Sequence, residues 1–537
     1  MKKPPKNLGL LFDWHAGQSR TTKLILDRPF DIAPAAGTDY DAAALAGLVR
    51  EASAWLYAAG ARKGDRIAVV KRNHFDMILL AAAAARIGAT AATVSGANYP
   101  EHLAEMLRRL DPSVTLIGSE VLERAERAGA DLTPYGRTVL IDGPAADPGA
   151  GLLTIDDLRG SATPDLDLRA DTDLMMITHT SGTTNTPKLV AHTADSCRAG
   201  TRLELLPMPI AVNGPKDVAL SSISFAHSRA YAWAMAQLRW APQALVIASS
   251  HEADDVERVL DRARPTTIEA TPNVFQCWVP LVRRRPELFA RVRYYMNTFD
   301  LMHPSIARPF VEASRRRFVL WGHSWGQSEV GPMAGFGYTR GQIKRRAAAG
   351  GNMNMMGNPW PGLVSVKAAD PETGAPVKRG EVGVLFAKGD SICVDYVGES
   401  DRYAEKWKGS WWNTGDVGYK DALGRIHFVD RAVDAIPGGS ATELESELLD
   451  RIANAVEVIV LTRGDRKPVP VVSLDGPDLG EEEWAEVTRG LPPLEAPVFI
   501  PWHRLPRTST WKVRRKELRE TVFAESPDDT VLEERFT

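Results

Sequence analysis

A chain of 537 residues is too long for one hydrophobic core, so two or more domains are expected. Apolar residues at 44% and charged residues at 25% are ordinary for a globular protein, and a formal charge of −3 gives no reason to expect a nucleic acid. Three distant cysteines, Cys197, Cys277 and Cys393, with no C-x-x-C, exclude a disulfide framework and a zinc site and fit a reducing cytoplasm.

The N-terminal MKKPPKNLGLLFDW is basic but has no apolar stretch before Asp13, so no signal peptide is expected. Residues 64–95 read as strand, alanine-rich helix, strand. The apolar run within them, Met77 to Ala85, is too short to cross a membrane and reads as a buried helix. The alternation recurs at Thr115–Gly118, Val121–Ala128 and Thr138–Ile141, and again with strands at Leu245–Ala248, Thr267–Ala270 and Phe318–Trp321. Alternating strands and helices predict doubly wound parallel sheets, with ligands at the carboxyl ends of the strands. From about residue 357 to 429, short strand-like pieces predict a small β-rich subdomain. A boundary near Asp430 and Arg431 divides the chain into residues 1–430 and 431–537. The second part should hold a helix at Thr442–Ala455, strands at Val456–Leu461 and Val469–Leu474, a basic terminal helix and a loose tail from Glu525.

Thr180 to Lys188, TSGTTNTPK, carries the strongest chemical signal. Small hydroxyl residues around Gly182 let backbone N–H groups approach an anion, and Lys188 adds a point charge, as suits a nucleotide's phosphates. It is not a Walker A loop. Further along come Trp325-Gly-Gln-Ser-Glu329 after the strand at Phe318–Trp321, Asn413-Thr-Gly-Asp416, Arg431, and Lys512 in a loop before the basic helix. The basic runs at 283–285, 315–317 and 344–346 lack aromatic interleaving and read as solvated helix faces.

This ordered set resembles the adenylate-forming superfamily of acyl-CoA ligases, luciferases and peptide-synthetase adenylation domains, over about residues 40–520. The resemblance implies an α/β fold: a large N-terminal domain of two doubly wound subdomains plus a small β-barrel, then a small mobile α+β domain. It implies that ATP adenylates a carboxylate, which then passes to an acceptor. Thr180, Ser181, Gly182, Thr183, Thr184 and Lys188 would hold the β- and γ-phosphates. Trp325 would stack on adenine, with Gly326 and Ser328 beside it, and Glu329 would hold Mg²⁺. Asp416 and Arg431 would take the ribose. Lys512 would bridge the carboxylate and the α-phosphate. His227 matches a residue that gates the acyl pocket.

Departures from the family pattern concern the second step. Asn185 and Leu189 stand where glycine is usual, His179 precedes the loop, and Trp511 replaces the glycine before Lys512. Thr298-Phe299-Asp300 stands where Gly-Gly-Ala is usual, and Asp300 is a candidate to orient or deprotonate an amine. The hinge after Arg431 lacks the usual aspartate, and the loop Pro437–Glu443 looks shortened. The favoured reading is a cytoplasmic, CoA-independent amide synthetase of natural-product metabolism, joining a carboxylic acid to an amine. A CoA ligase, or an adenylation domain loading a carrier protein, is the alternative. The acid is expected to be aromatic, with Phe225, Trp233, Phe299, Trp321 and Trp325 lining one cleft. The oligomeric state is not legible.

Overall fold

The computed structural model describes residues 3–143, 152–180, 186–208, 210–349, 351–431, 440–462, 466–508 and 510–524. Two eight-stranded sheets dominate it. In the first, the parallel strands Leu174–His179, Thr90–Ser95, Arg66–Lys71, Val114–Ile117, Arg137–Leu140 and Leu153–Thr154 lie side by side. Antiparallel Leu189–Thr193 and then Asp395–Tyr396 extend the edge beside Leu174–His179. In the second, Lys23–Leu26, Ala244–Ile247, Val218–Ser222, Thr267–Ala270, Tyr294–Asn297 and Leu320–Gln327 run parallel. Gly331–Thr339 returns antiparallel to the last of these. The doubly wound expectation holds, because β-α-β units put helices over parallel strands.

Alanine explains how the layers approach. In helix Asp76–Arg86 every residue is buried, and the run Ala81–Ala85 presents no bulk to its neighbours. It packs against helix Ala42–Ala58, whose own buried face includes Ala42, Ala46, Ala52 and Ala54. Close contact there buries the second half of the helix against its neighbours, while Met77, Ile78, Leu79 and Leu80 fill the core around its first turns.

Three expectations needed correction. The anticipated barrel is a six-stranded antiparallel sheet (Met355–Gly357, Ile426–Arg431, Trp411–Lys420, Gly383–Gly389, Val364–Ala369, with Trp407–Lys408 alongside). Among the described residues its ladder does not close. Trp325 does not follow its strand but lies within it, because Leu320–Gln327 runs on past Trp321 against Gly331–Thr339. The expected helix over 442–455 ends early, at Arg451, and Ala455 opens the following strand.

The C-terminal part carries Ala455–Leu461 antiparallel to Val469–Leu474, with Val498–Phe499 parallel to the latter, and the helices Ala441–Arg451, Glu481–Val487 and Arg515–Val522. It is seated on the N-terminal part. Tyr99 Oη donates to the Glu517 carboxylate at 2.6 Å, the Arg514 guanidinium lies 4.2 Å over the Tyr99 ring, and Asn273 donates to the Trp511 carbonyl. The altered hinge at 432–439 lies outside the described residues. No helix among the described residues is long and apolar enough to cross a membrane.

Candidate active site

A cavity of about 700 Å³ opens where the two large sheets, the antiparallel sheet and the C-terminal part meet. Thr180, Lys188, His227, Gly326, Ser328, Glu329, Arg431 and Lys512 all line it, although they span more than 300 positions of the chain. Ser181, Gly182, Thr183 and Thr184 lie outside the described residues, but the base of their loop is drawn shut. Thr180 N donates to the Lys188 carbonyl at 3.0 Å, and Lys188 N donates to Thr180 Oγ1 at 3.1 Å. His179 sets the loop's entry: its Nε2 accepts from Ser95 N at 3.1 Å, so Nδ1 carries the proton that it donates to the Thr180 carbonyl at 2.8 Å. Burial holds this imidazole near pKa 4, neutral at physiological pH.

Glu329 follows the second sheet's strand Leu320–Gln327, and its Oε1 accepts from Lys188 Nζ and from Tyr396 Oη, both at 2.8 Å. Burial alone would push this carboxyl up, but the Lys188 charge and the two hydrogen bonds hold it near 2, so it is ionised. Among the described residues no group of three or more His, Cys, Asp or Glu is gathered to hold a metal. A cation held by Glu329 would take its other ligands from phosphate and water, which fits magnesium.

Asp416 is buried in strand Trp411–Lys420, where Oδ2 accepts from Trp325 Nε1 at 2.8 Å and from Gln327 Nε2 at 3.0 Å. Arg431, on the neighbouring strand and directly across from Asp416, reaches Oδ1 at 3.3 Å. Trp325 is therefore not where the sequence suggested. Only 7% exposed, it packs in the core of the antiparallel sheet and does not line the cavity, while its indole N–H braces the aspartate. Phe225 and Trp321 are likewise core residues, so of the five aromatics expected in one cleft only Trp233 and Phe299 line it. Large rings fill cores before they line pockets.

His227 caps helix Ser228–Trp240: Nδ1 accepts from Arg229 N at 3.1 Å. Nε2 therefore bears the proton and donates to Ser328 Oγ at 2.7 Å. Burial, with the neighbouring His179, lowers its pKa to about 3. Both ring nitrogens are engaged, so this imidazole positions Ser328 and is not a free base.

Phe299 and Trp511, where the resemblance implies glycine, have a glycine-like backbone, with φ of +76° and +65°. Non-glycine residues hold such a conformation at a cost of about 1–3 kcal/mol, and they persist where surrounding packing over-determines them. Here the packing is visible. Phe299 meets the His227 ring edge-on at 4.6 Å, and Trp511 meets His251 edge-on at 4.7 Å. Beside Trp511, Lys512 projects into the cavity, and its Nζ lies 3.9 Å from Asp300 Oδ2.

Several residues of the site gave no sequence signal. Tyr396 holds Glu329 and Lys188 from the far edge of the first sheet, and Lys406 lines the cavity next to Gly415. Glu204, Arg229 and Glu269 meet deep inside, from three separate elements. Only folding makes these neighbours.

Lys188, Glu329, Arg431 and Lys512 thus gather around one cavity, with Asp416 buried beside Arg431. Residues 16–397 match the model of the AMP-binding enzyme family, and the chain belongs to that family; it is an AMP-forming ligase. It is 34% identical over 540 residues to the 3-amino-2-hydroxy-4-methoxybenzoate diazotase of Streptomyces cremeus, covering 96% of this chain and 95% of the relative. Its fold is similar to the anthranilate CoA ligase AuaEII in complex with anthranoyl-AMP (TM-score 0.80, 18% identity, 96% of each chain). It is similar too to the amide bond synthetase McbA from Marinactinospora thermotolerans (TM-score 0.74, 20% identity, 96% of this chain and 100% of that one).

Proposed function

We propose that the enzyme uses ATP to adenylate a small oxyacid and hands the activated group to an amine nitrogen, without CoA. The observation that carries this reading is Asp300. An attacking amine must shed a proton, and a carboxylate within reach of the reacting centre can take it. Asp300 Oδ1 accepts from Leu301 N at 3.0 Å, but the side chain is half-exposed and its Oδ2 lies 3.9 Å from Lys512 Nζ, whereas Glu329 is buried in a close pair with Lys188 and His227 is engaged at both nitrogens. Trp511, packed edge-on against His251, adds bulk directly before Lys512, where a compact amine is more readily accommodated than a long thiol arm.

In this reading Lys188 and the hydroxyl loop take the β- and γ-phosphates, and Asp416 with Arg431 takes the ribose. Gly326 lines the cavity beside them, and its lack of a side chain lets the partner strand approach, since a Cβ there would lie 2.7 Å from the Gly331 carbonyl oxygen. Lys512 stabilises the charge that builds as the acid oxygen attacks the α-phosphorus and pyrophosphate departs. Magnesium, held through Glu329, would supply charge neutralisation at the phosphates. With a carboxylic acid, amine attack on the acyl carbon gives an amide, AMP and a proton, the last going to Asp300.

The diazotase relative favours a second version of the same chemistry, in which the acid is nitrite. Adenylation gives a nitrosyl adenylate and pyrophosphate. Attack by an aryl amine on the nitrosyl nitrogen forms an N–N bond and releases AMP, and loss of hydroxide then yields the diazonium ion. The test is product analysis at pH 8 with ATP, Mg²⁺ and aromatic amines, offering aryl acids or nitrite, with and without CoA. An amide, or a diazonium trapped as an azo dye, formed without CoA supports the amine reading and identifies the acid. A product that forms only as a CoA thioester overturns it.

A further inference from the structure

The inner end of the cavity is charged, which is unexpected for a pocket that holds an aromatic body. Arg229, in the first turn of helix Ser228–Trp240, forms a two-pronged pair with Glu269 of strand Thr267–Ala270, Nε to Oε1 at 2.6 Å and Nη2 to Oε2 at 2.7 Å. Its Nη1 pairs with Glu204 Oε1. Three of the five guanidinium N–H groups are thus committed, and two carboxylates surround one cation. Burial raises the Glu204 carboxyl and Arg229 opposes that rise. A salt-bridged triad taken out of water is a poor source of stability, because desolvation offsets most of the attraction.

Its orientation points to another use. Among the described residues the second oxygen of Glu204 has no protein partner, and Glu204 lines the cavity. Tyr294, also lining it, spends its O–H on the weak sulfur acceptor of Met296 at 3.3 Å, leaving its oxygen able to accept. Gly322 makes this placement of Tyr294 feasible, since a Cβ there would fall 2.2 Å from the tyrosine oxygen. Met296, two residues further along the strand, and Thr298, just past its end, also line the cavity. Thr298 is 7% exposed, and among the described residues its buried Oγ1 has no partner.

We propose that Glu204, Glu269 and Tyr294, with Arg229 fixing the carboxylates, form a recognition site for a hydrogen-bond-donating amino substituent on an aromatic acid. Beside the two uncommitted guanidinium N–H groups, the positions left open at Glu204 and Tyr294 are acceptors, and two carboxylates outweigh the guanidinium's charge. A donor therefore completes the site, while an additional carboxylate meets repulsion. A site built on buried acceptors rejects an analogue lacking the donor far more sharply than an apolar pocket rejects a missing methylene. The inference rests on the amide-forming version of the proposed function, in which an aromatic acid is adenylated and a separate amine attacks.

The test is calorimetric binding, without ATP, of 3-aminobenzoate, benzoate and isophthalate to the full chain and to Glu204→Gln, Glu269→Gln and Tyr294→Phe. The expected result is about tenfold or greater preference for 3-aminobenzoate over benzoate, with isophthalate weakest. The glutamine variants should reduce that preference to about twofold while benzoate binding is kept. Should Glu269→Gln fail to fold, the isosteric Glu204→Gln and Tyr294→Phe carry the test. Isophthalate binding as tightly as 3-aminobenzoate, no binding of any probe, or an unchanged preference in every folded variant overturns the proposal. Acid-dependent pyrophosphate release, measured separately, tests adenylation itself, so the two readings fail independently.

Discussion

The two ends of the cavity are built by opposite rules. At the end proposed for the nucleotide, the functional groups fall in short contiguous motifs even where their partners come from other sheets: Trp325, Gln327 and Glu329 lie within five positions, Asp416 and Arg431 face each other across one ladder, and Lys188 and Tyr396 reach Glu329 from the first sheet. At the inner end, Glu204, Arg229, Glu269 and Tyr294 come from a loop, a helix and two strands and have no motif. Chemistry common to every adenylation demands fixed local geometry, so it is written locally. Selectivity needs only that acceptors converge in space, so it can be assembled from anywhere in the fold.

This contrast can be broken most forcefully at Lys512. Lys512→Ala should lower acid-dependent pyrophosphate release by on the order of 10²–10³, the scale of losing a charge-stabilising donor. Release within twofold of the parent would remove Lys512 from the first step.

Asp300→Asn should sharpen the separation between steps. It is expected to leave pyrophosphate release within about twofold and to slow N-acylation or diazotisation by roughly 10²-fold, the lower range of general-base catalysis. Equal slowing of both steps would deny Asp300 its role as proton acceptor.

A smaller effect is expected at Trp325. Trp325→Phe keeps an aromatic ring in the core and removes the N–H that braces Asp416. Hydrogen bonds to charged groups contribute about 1.5–3 kcal/mol, so KM for ATP should rise roughly tenfold or more, with the acid's KM little changed. Stacking on adenine would instead be preserved by phenylalanine, and an unaltered KM would restore that role.

The mildest test is pH. Burial lowers His227 and His74 to about 3 and His179, His15, His251 and His323 to about 4. Folded pKa values below the unfolded value of about 6.5 mean that the unfolded chain binds more protons between the two. The stability these groups contribute is complete above pH 6.5 and is lost as pH falls toward 3–4. Glu329, held near 2, acts in the same direction below about pH 4.5. Glu445, raised to about 7 by burial despite its pair with Arg515, opposes them by losing stability from about pH 4.5 to 7. The melting temperature should fall by several degrees from pH 7 to pH 5; a flat or rising profile would contradict the histidine environments.

The amino-acid sequence by itself determined the layered α/β plan, because the alternation of strand-like and alanine-rich runs leaves few other ways to bury both faces of parallel strands. It also carries, in short segments, the hydroxyl, carboxylate and lysine residues that we assign to the nucleotide. Trp325 marks where that legibility stopped. Its place in the motif was readable, but the direction of its ring depended on how the strand Leu320–Gln327 continued and on which core lay behind it. The tertiary structure alone decided that both nitrogens of His227 are committed, that Phe299 and Trp511 are held in glycine's backbone conformation by the rings they pack against, and that Glu204, Arg229 and Glu269 meet. Each of these depends on contacts between residues distant in the chain, and side-chain direction and charge pairing across such distances exist only once the layers have closed.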